Sequence, residues 1–266
     1  MNNPVFKKNN INIFGKGTQP MLFAHGYGCN QEMWRLVTPA FEEDYQIHLF
    51  DHVGSGESQV GKYDFSKYKS LQGYADDLID ICDSLSLKRS VLVAHSVSSM
   101  IATLAAVSRP DLFDKLIMIG PSPRYINEGE YFGGFDQQDI DELIETLESN
   151  YLGWSSFITP VIVGNPEKEE YSNELHTSFC SMDPAIAKHF AKVTFTGDNR
   201  QDLQKLKTPT LIIQTHPDVI APKEVGNYVH SQISNSELVQ LDCSGHCPHL
   251  TAPDLVIEAI RNFLKT

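Results

Sequence analysis

Short runs of consecutive apolar residues alternate along this chain with stretches whose apolar residues fall three and four apart. Residues 21–24, 47–50, 91–93, 115–120, 210–214 and 238–241 are strand-like segments dominated by apolar residues, and 91–93 and 115–120 have the pattern of strands buried on both faces. Leu71, Tyr74, Leu78, Ile81 and Leu85 recur at helical spacing, and residues 31–41, 100–106, 222–233 and the stretch from Asp254 read as further helices. Residues 11–20, "INIFGKGTQP", predict an opening hairpin that turns at its glycines. Strands alternating with helices specify an α/β fold, a mostly parallel sheet with helices on both faces.

The alternation lapses from Arg124 to Arg200, where "DQQDIDELIETLESNYLGW" and "DPAIAKHFAKVTF" are helical and strand signal is scarce. Residues 1–123 and 201–266 are therefore expected to form one core. Residues 124–200 are expected to form a helical lid over the strand ends, where open α/β sheets place their ligands.

Residues 90–100, "SVLVAHSVSSM", put Ser96 between a strand and a helix. The stretch resembles the G-x-S-x-G nucleophile elbow, a strained turn that lifts a serine above the sheet. Ala94 and Ser98 replace both glycines, yet they keep the small size that close passage of strand and helix requires. A serine nucleophile needs a base, and the base needs an orienting carboxylate. In elbow-bearing sheets these follow in the order Ser, Asp, His, in loops after later strands. "HPDVIAP" supplies Asp218 and "GHCPHL" supplies His246 at those places. His249 is expected inside the next turn, His216 in a loop, and Asp242 within the last strand with a structural role. Oxyanion donors are expected at the amides of Val97, after the serine, and Tyr27, in the glycine turn "AHGYGCNQEMW".

His246, Cys247 and His249 have the residue types of a metal site, but no second cluster completes a ligand set, so no metal is expected. "DHVGSGES" lacks the lysine and spacing of a phosphate loop; Gly54 and Gly56 are expected to shape a turn near the site. A net charge of −13 and a pI of about 5.1, without a basic block, argue against a nucleic-acid partner. The 266 residues, 41% hydrophobic, can bury the core of one large domain. No stretch has the apolar length of a signal peptide or membrane span. The five cysteines are odd in number and scattered, which predicts reduced thiols and a soluble, cytoplasmic protein.

With these residues assembled, the chain resembles the α/β-hydrolase superfamily, and more narrowly the RsbQ family of bacterial energy-stress regulators, which is similar to plant karrikin and strigolactone receptors. The stretches that carry the resemblance are "GYGCNQEMW", "LFDHVGSGES", "HSVSSM", "GPSPRYINEGEYFGGF", "FCSMDPAIAKHFAKVTF" and "GHCPHL". The resemblance implies a triad of Ser96, Asp218 and His246, and a four-helix lid over an apolar pocket to which Phe135, Trp154, Phe157 and Phe195 contribute. It implies cofactor-independent hydrolysis of a small, largely apolar ester or lactone. It also implies positive regulation in a stress pathway through a PAS-domain protein phosphatase of RsbP type. A stand-alone carboxylesterase or lactonase, and a receptor with little turnover, are the alternatives. Ala94 departs from the family's usual glycine, and His25 and Tyr27 are more polar than its usual residues.

Overall fold

The computed structural model describes residues 4–265. Seven strands form one sheet: β1 (Asn12–Phe14), β2 (Gln19–Ala24), β3 (Tyr45–Leu49), β4 (Ser90–His95), β5 (Phe113–Ile119), β6 (Thr210–Gln214) and β7 (Ser236–Gln240). Their order is β1-β3-β2-β4-β5-β6-β7, and every neighbouring pair is parallel except β1 with β3. The expected opening hairpin is thus corrected: β1 pairs with β3, Asn12 opposite Leu49, rather than with β2. The turn between β1 and β2 crosses the start of β3 at backbone contact, where a Cβ on Gly17 would stand 2.0 Å from the Asp44 carbonyl oxygen. Gly15, at φ +95°, makes the bend.

The helices are α1 (Pro4–Lys8), α2 (Gln72–Ser84), α3 (Val97–Ser108), α4 (Gln137–Ser149), α5 (Tyr151–Val163), α6 (Glu169–Ser181), α7 (Pro184–Thr196), α8 (Arg200–Leu203), α9 (Lys223–Gln232), α10 (Pro248–Thr251) and α11 (Pro253–Leu264). The single helix expected over residues 31–41 is instead two 3-10 turns, Gln31–Trp34 and Thr38–Ala40. Asn30 caps the first, and Pro39 restarts the chain in the second.

Successive strand residues face opposite sides, and over the central strands both sides are covered. Leu22, Leu92, Leu116 and Ile212 pack with residues of α2 and α3. Met21, Val91, Val93, Ile117 and Ile213 pack with Trp34, Phe41 and the α11 residues Val256, Ile260 and Phe263. This double burial is why the strands read as unbroken apolar runs. Each large aliphatic side chain removed from water contributes roughly 1.5–3 kcal/mol.

Helices α4 to α7 are inserted between β5 and β6. Their starts are written locally. Asp136 and Asp139 form a reciprocal capping box on α4, and the Asp183 carboxylate accepts from the Ala185 and Ile186 amides ahead of α7. Asp242, expected within the last strand, lies exposed just beyond β7.

Candidate active site

β4 ends at His95, and Ser96 turns the chain into α3 at φ +56°, ψ −125°, a region L-residues avoid. Residues on either side must be small for this turn to form. Ala94 is fully buried between sheet and helix, and Ser98 uses its hydroxyl to donate to the His25 carbonyl while lying 2.8 Å from His52 Nε2. Ser98 therefore does more than fit in place of glycine. It ties the serine turn to the glycine loop after β2.

The loops after β6 and β7 bring two more groups to the same strand ends. His246 Nε2 lies 2.8 Å from Ser96 Oγ, and His246 Nδ1 lies 2.7 Å from Asp218 Oδ2. The other carboxylate oxygen, Oδ1, accepts from the Ile220 and Ala221 amides at 2.8 and 3.1 Å. All three residues are buried. Gly120, at φ +58°, leaves room for the imidazole: a Cβ there would stand 3.0 Å from His246 Cε1. The arrangement can take a proton from a serine hydroxyl and hold the resulting imidazolium against a fixed carboxylate.

Tyr27 lines the same cavity as Ser96 and Val97 follows the serine in the chain; neither amide has a backbone acceptor among the turn and loop hydrogen bonds of the described residues. The Tyr27 side chain points away from these amides into the inserted helices. Its hydroxyl donates to the Ala187 carbonyl of α7 at 3.0 Å, and its ring meets Trp154, Phe179, Phe190 and Phe195 edge-on. Burial raises its phenol well above the usual value. The extra hydroxyl relative to a plain aromatic is therefore a link to the insertion. The insertion also reaches the histidine directly, since the His246 amide donates to the Ile162 carbonyl of α5 at 2.8 Å.

Ser96 and His246 open onto a cavity of about 150 Å³ roofed by the inserted helices. An apolar cavity of about that size holds a benzene-sized molecule. Phe135, Trp154 and Phe195 line it. Phe157 does not. It stands 72% exposed on the outer side of α5, which corrects its expected place in the lining. The sequence "LGWSSFITPVIV" is apolar nearly all round the helix, so periodicity could not choose its inward face. Val161, one turn after Phe157, and Val219 both line the cavity and are partly exposed, which marks its mouth.

Tyr125 was not foreseen. It is buried in the cavity wall beside Ser96; burial pushes its phenol up to about 12, with a hydrogen bond to the serine acting the other way. It sits in a loop without periodic signal, and only its place after the β5 strand end could have suggested it. Of the competing groups, His216 is exposed in its loop and His249 is fully buried in α10. Gly54, in its turn, lies against Ile186 of α7.

Five cysteines are free, and none of the described helices is long and apolar enough to cross a membrane. A family model described as the alpha/beta hydrolase fold matches residues 19–253. Among known proteins, the chain is 36% identical to Karrikin insensitive 2 receptor CA of Petunia hybrida over 96% of this chain and 95% of that one. It is 38% identical to Strigolactone esterase RMS3 of Pisum sativum over 95% of each. Among solved structures, a hydrolase from Oleispira antarctica superposes with a TM-score of 0.96 at 40% identity, covering 99% of this chain and 97% of that one.

Proposed function

The chain belongs to the α/β-hydrolase family, and from that premise we propose that it is a serine hydrolase of a small, largely apolar ester or lactone. The observation that carries the reading is the hydrogen-bonded series Asp218–His246–Ser96 at the floor of an apolar cavity. Ser96 Oγ attacks the carbonyl carbon as His246 Nε2 takes its proton, and Asp218 Oδ2 holds the Nδ1–H and the imidazolium charge. The Tyr27 and Val97 amides receive the oxyanion. Collapse expels the alcohol with the proton from His246, and water activated by the same imidazole then releases the acid. Residues 124–200 act as the lid, and residues 1–123 and 201–266 as the core that carries the chemistry.

A sulfonyl fluoride tests this. It should abolish turnover of a short-chain nitrophenyl ester and add mass to the peptide containing Ser96. Loss of turnover with Ser96 unmodified would overturn the assignment.

A regulatory role of RsbQ type in a stress pathway, in the cytoplasm and with a PAS-domain phosphatase as partner, is the finer reading. Two observations favour it over a stand-alone carboxylesterase. Relatives covering nearly the whole chain are named receptors, and α5 holds the large apolar Leu152 and Phe157 in solvent at 60% and 72% exposure. A pull-down of such a phosphatase from cells expressing both proteins tests it. Equal recovery with and without this chain would leave hydrolysis alone.

A further inference from the structure

Behind the Ser96 turn, three side chains from two distant parts of the sequence meet in the interior. His95 ends β4, Cys247 precedes α10, and His249 lies within α10. They are 2%, 1% and 0% exposed, and one donor atom from each lies within 4.8 Å of the other two. Cys247 and His249 alone make an incomplete set, and His95, far away in sequence, supplies the third donor.

The hydrogen bonding of these side chains is unusual. His95 Nε2–H donates to the His246 carbonyl at 2.8 Å, which fixes the tautomer and leaves Nδ1 with a bare lone pair. That nitrogen has no hydrogen-bond partner, and neither ring nitrogen of His249 has one. A buried imidazole nitrogen without a partner is costly to a folded protein. A ring that donates one nitrogen to a backbone carbonyl and keeps the other unprotonated and unpartnered, beside a thiol and a second imidazole, has the hydrogen bonding seen in metal-ligating histidines. Gly26 keeps that lone pair clear, since a Cβ there would stand 2.7 Å from His95 Nδ1. The Trp34 ring, 4.9 Å from that of His249, covers the side away from the cavity.

We propose that His95 Nδ1, Cys247 Sγ and one His249 ring nitrogen form a binding site for a thiophilic divalent cation such as Zn2+. Two imidazoles and a thiolate, with no carboxylate among them, select a soft or borderline ion over Mg2+ or Ca2+. Tetrahedral bonds would bring the donors to about 3.5 Å apart, a closure of an ångström or so from their present spacing. As the Zn–S bond forms, the Cys247 S–H proton leaves to solvent and the sulfur keeps the electron pair; both imidazoles stay neutral. His95 and Cys247 also line the cavity, so the fourth position opens toward it and the ion can enter that way. The His95 and His246 rings are 5.0 Å apart, so the cation opposes any positive charge on His246. The site therefore acts as an inhibitory one. That consequence rests on the proposed hydrolysis, whereas the binding does not.

The test uses the full chain, stripped with a chelator and titrated with Cd2+, read by the ultraviolet thiolate-to-cadmium band, and with Zn2+ in competition. Wild type, Ser96→Ala and Cys180→Ala should each bind one ion with the band. Cys180 is included because its sulfur lies 3.6 Å from His176 Nε2 in a separate pair on α6. Cys247→Ala and His249→Gln should lose the band and bind Zn2+ about tenfold or more weakly. Cys247→Ala removes only a sulfur, so it decides the matter if His249→Gln fails to fold. Equal Zn2+ affinity in wild type and Cys247→Ala, no band in wild type, or a band lost only in Cys180→Ala would overturn the site. Zn2+ should also suppress ester turnover in wild type more than in Cys247→Ala. If Ser96→Ala binds the ion and no variant hydrolyses esters, the hydrolase reading fails while the metal site stands.

Discussion

The sheet and the inserted helices bury apolar surface toward different ends. The central strands are covered on both faces, and their interior residues interlock. The inserted helices close instead over a cavity, and on α5 they leave Leu152 and Phe157 in solvent. One region holds reactive groups in fixed positions; the other shapes what can reach them. The two are joined at the site itself, by Tyr27 to Ala187, Ser178 to Gly28, and His246 to Ile162. The insertion therefore bears directly on the geometry of the histidine and of the glycine loop.

The largest effect is expected where the core alone acts. Asp218→Asn leaves the carbonyl oxygen able to accept the same amides but no longer fixes the His246 tautomer, and turnover of a model ester should fall by about 10⁴. Near-normal turnover in this variant would mean that another carboxylate serves His246.

The junction comes next. Gly245 sits at φ +88°, and a Cβ there would lie 1.9 Å from the Val163 carbonyl oxygen at the end of α5. Gly245→Ala should push α5 and the adjoining His246 apart, and a misplacement of about an ångström costs about 10²-fold in turnover. Gly129 provides the comparison, since it also has positive φ, +59°, but an added Cβ would meet nothing within 4 Å. Gly129→Ala carries the backbone strain without the collision and should leave turnover within a few fold. Equal losses in the two variants would show that strain alone, not the junction, is being measured.

Acid separates the regions by a smaller margin. Burial holds His25, His48, His52, His95 and His249 below the ordinary histidine value of 6.5, His48 at about 4, and all five belong to the core. Their folded values are depressed, so the unfolded chain binds more protons. Their contribution to stability is complete above about pH 6.5 and is lost progressively as pH falls below it, through about 4 for His48 and about 3 for His249. Each group that charges only on unfolding steepens the loss by about 1.4 kcal/mol per pH unit. In the insertion, His189 is lowered too, but it is far less enclosed. Hydrogen exchange at pH 5 against pH 7 should therefore show β2 to β4 losing more protection than α4 and α6. His48→Gln, which relieves one such group, should flatten the fall in melting temperature.

The same contrast decides what could be read from the sequence. Strands covered on both faces leave apolar runs, and Ser96 and Asp218 each follow such a run, while His246 follows the shorter, half-exposed β7, so the fold and these three positions were legible together. Pairing between elements was not. The placement of β1 beside β3 depends on a glycine turn passing under another strand, which no local pattern records. Residues 31–41 carry helical composition, but Pro39 and a cap at Asn30 divide them into two short turns. Tyr125 and Gly245 belong to loops, where position follows from contacts and not from periodicity. Phe157 was misplaced because α5 is apolar on more than one face, so only packing against its neighbours selects Trp154 as the inward residue.

The smallest expected effect on chemistry is at that outward residue. Phe157 is mostly in water and contributes nothing to the cavity wall, so Phe157→Glu should change stability by no more than about 0.5 kcal/mol and ester turnover by less than a few fold. An apolar side chain kept in solvent on the region that roofs the cavity has a use if something docks there, and a charge placed in that contact would be desolvated without a partner. Recovery of the phosphatase in the pull-down should then collapse with Phe157→Glu while hydrolysis persists, whereas Trp154→Ala, which hollows the cavity from within, should impair hydrolysis first. If Phe157→Glu instead reduces turnover as much as Trp154→Ala does, the outer face of α5 serves the cavity, and the division of work between core and insertion does not hold.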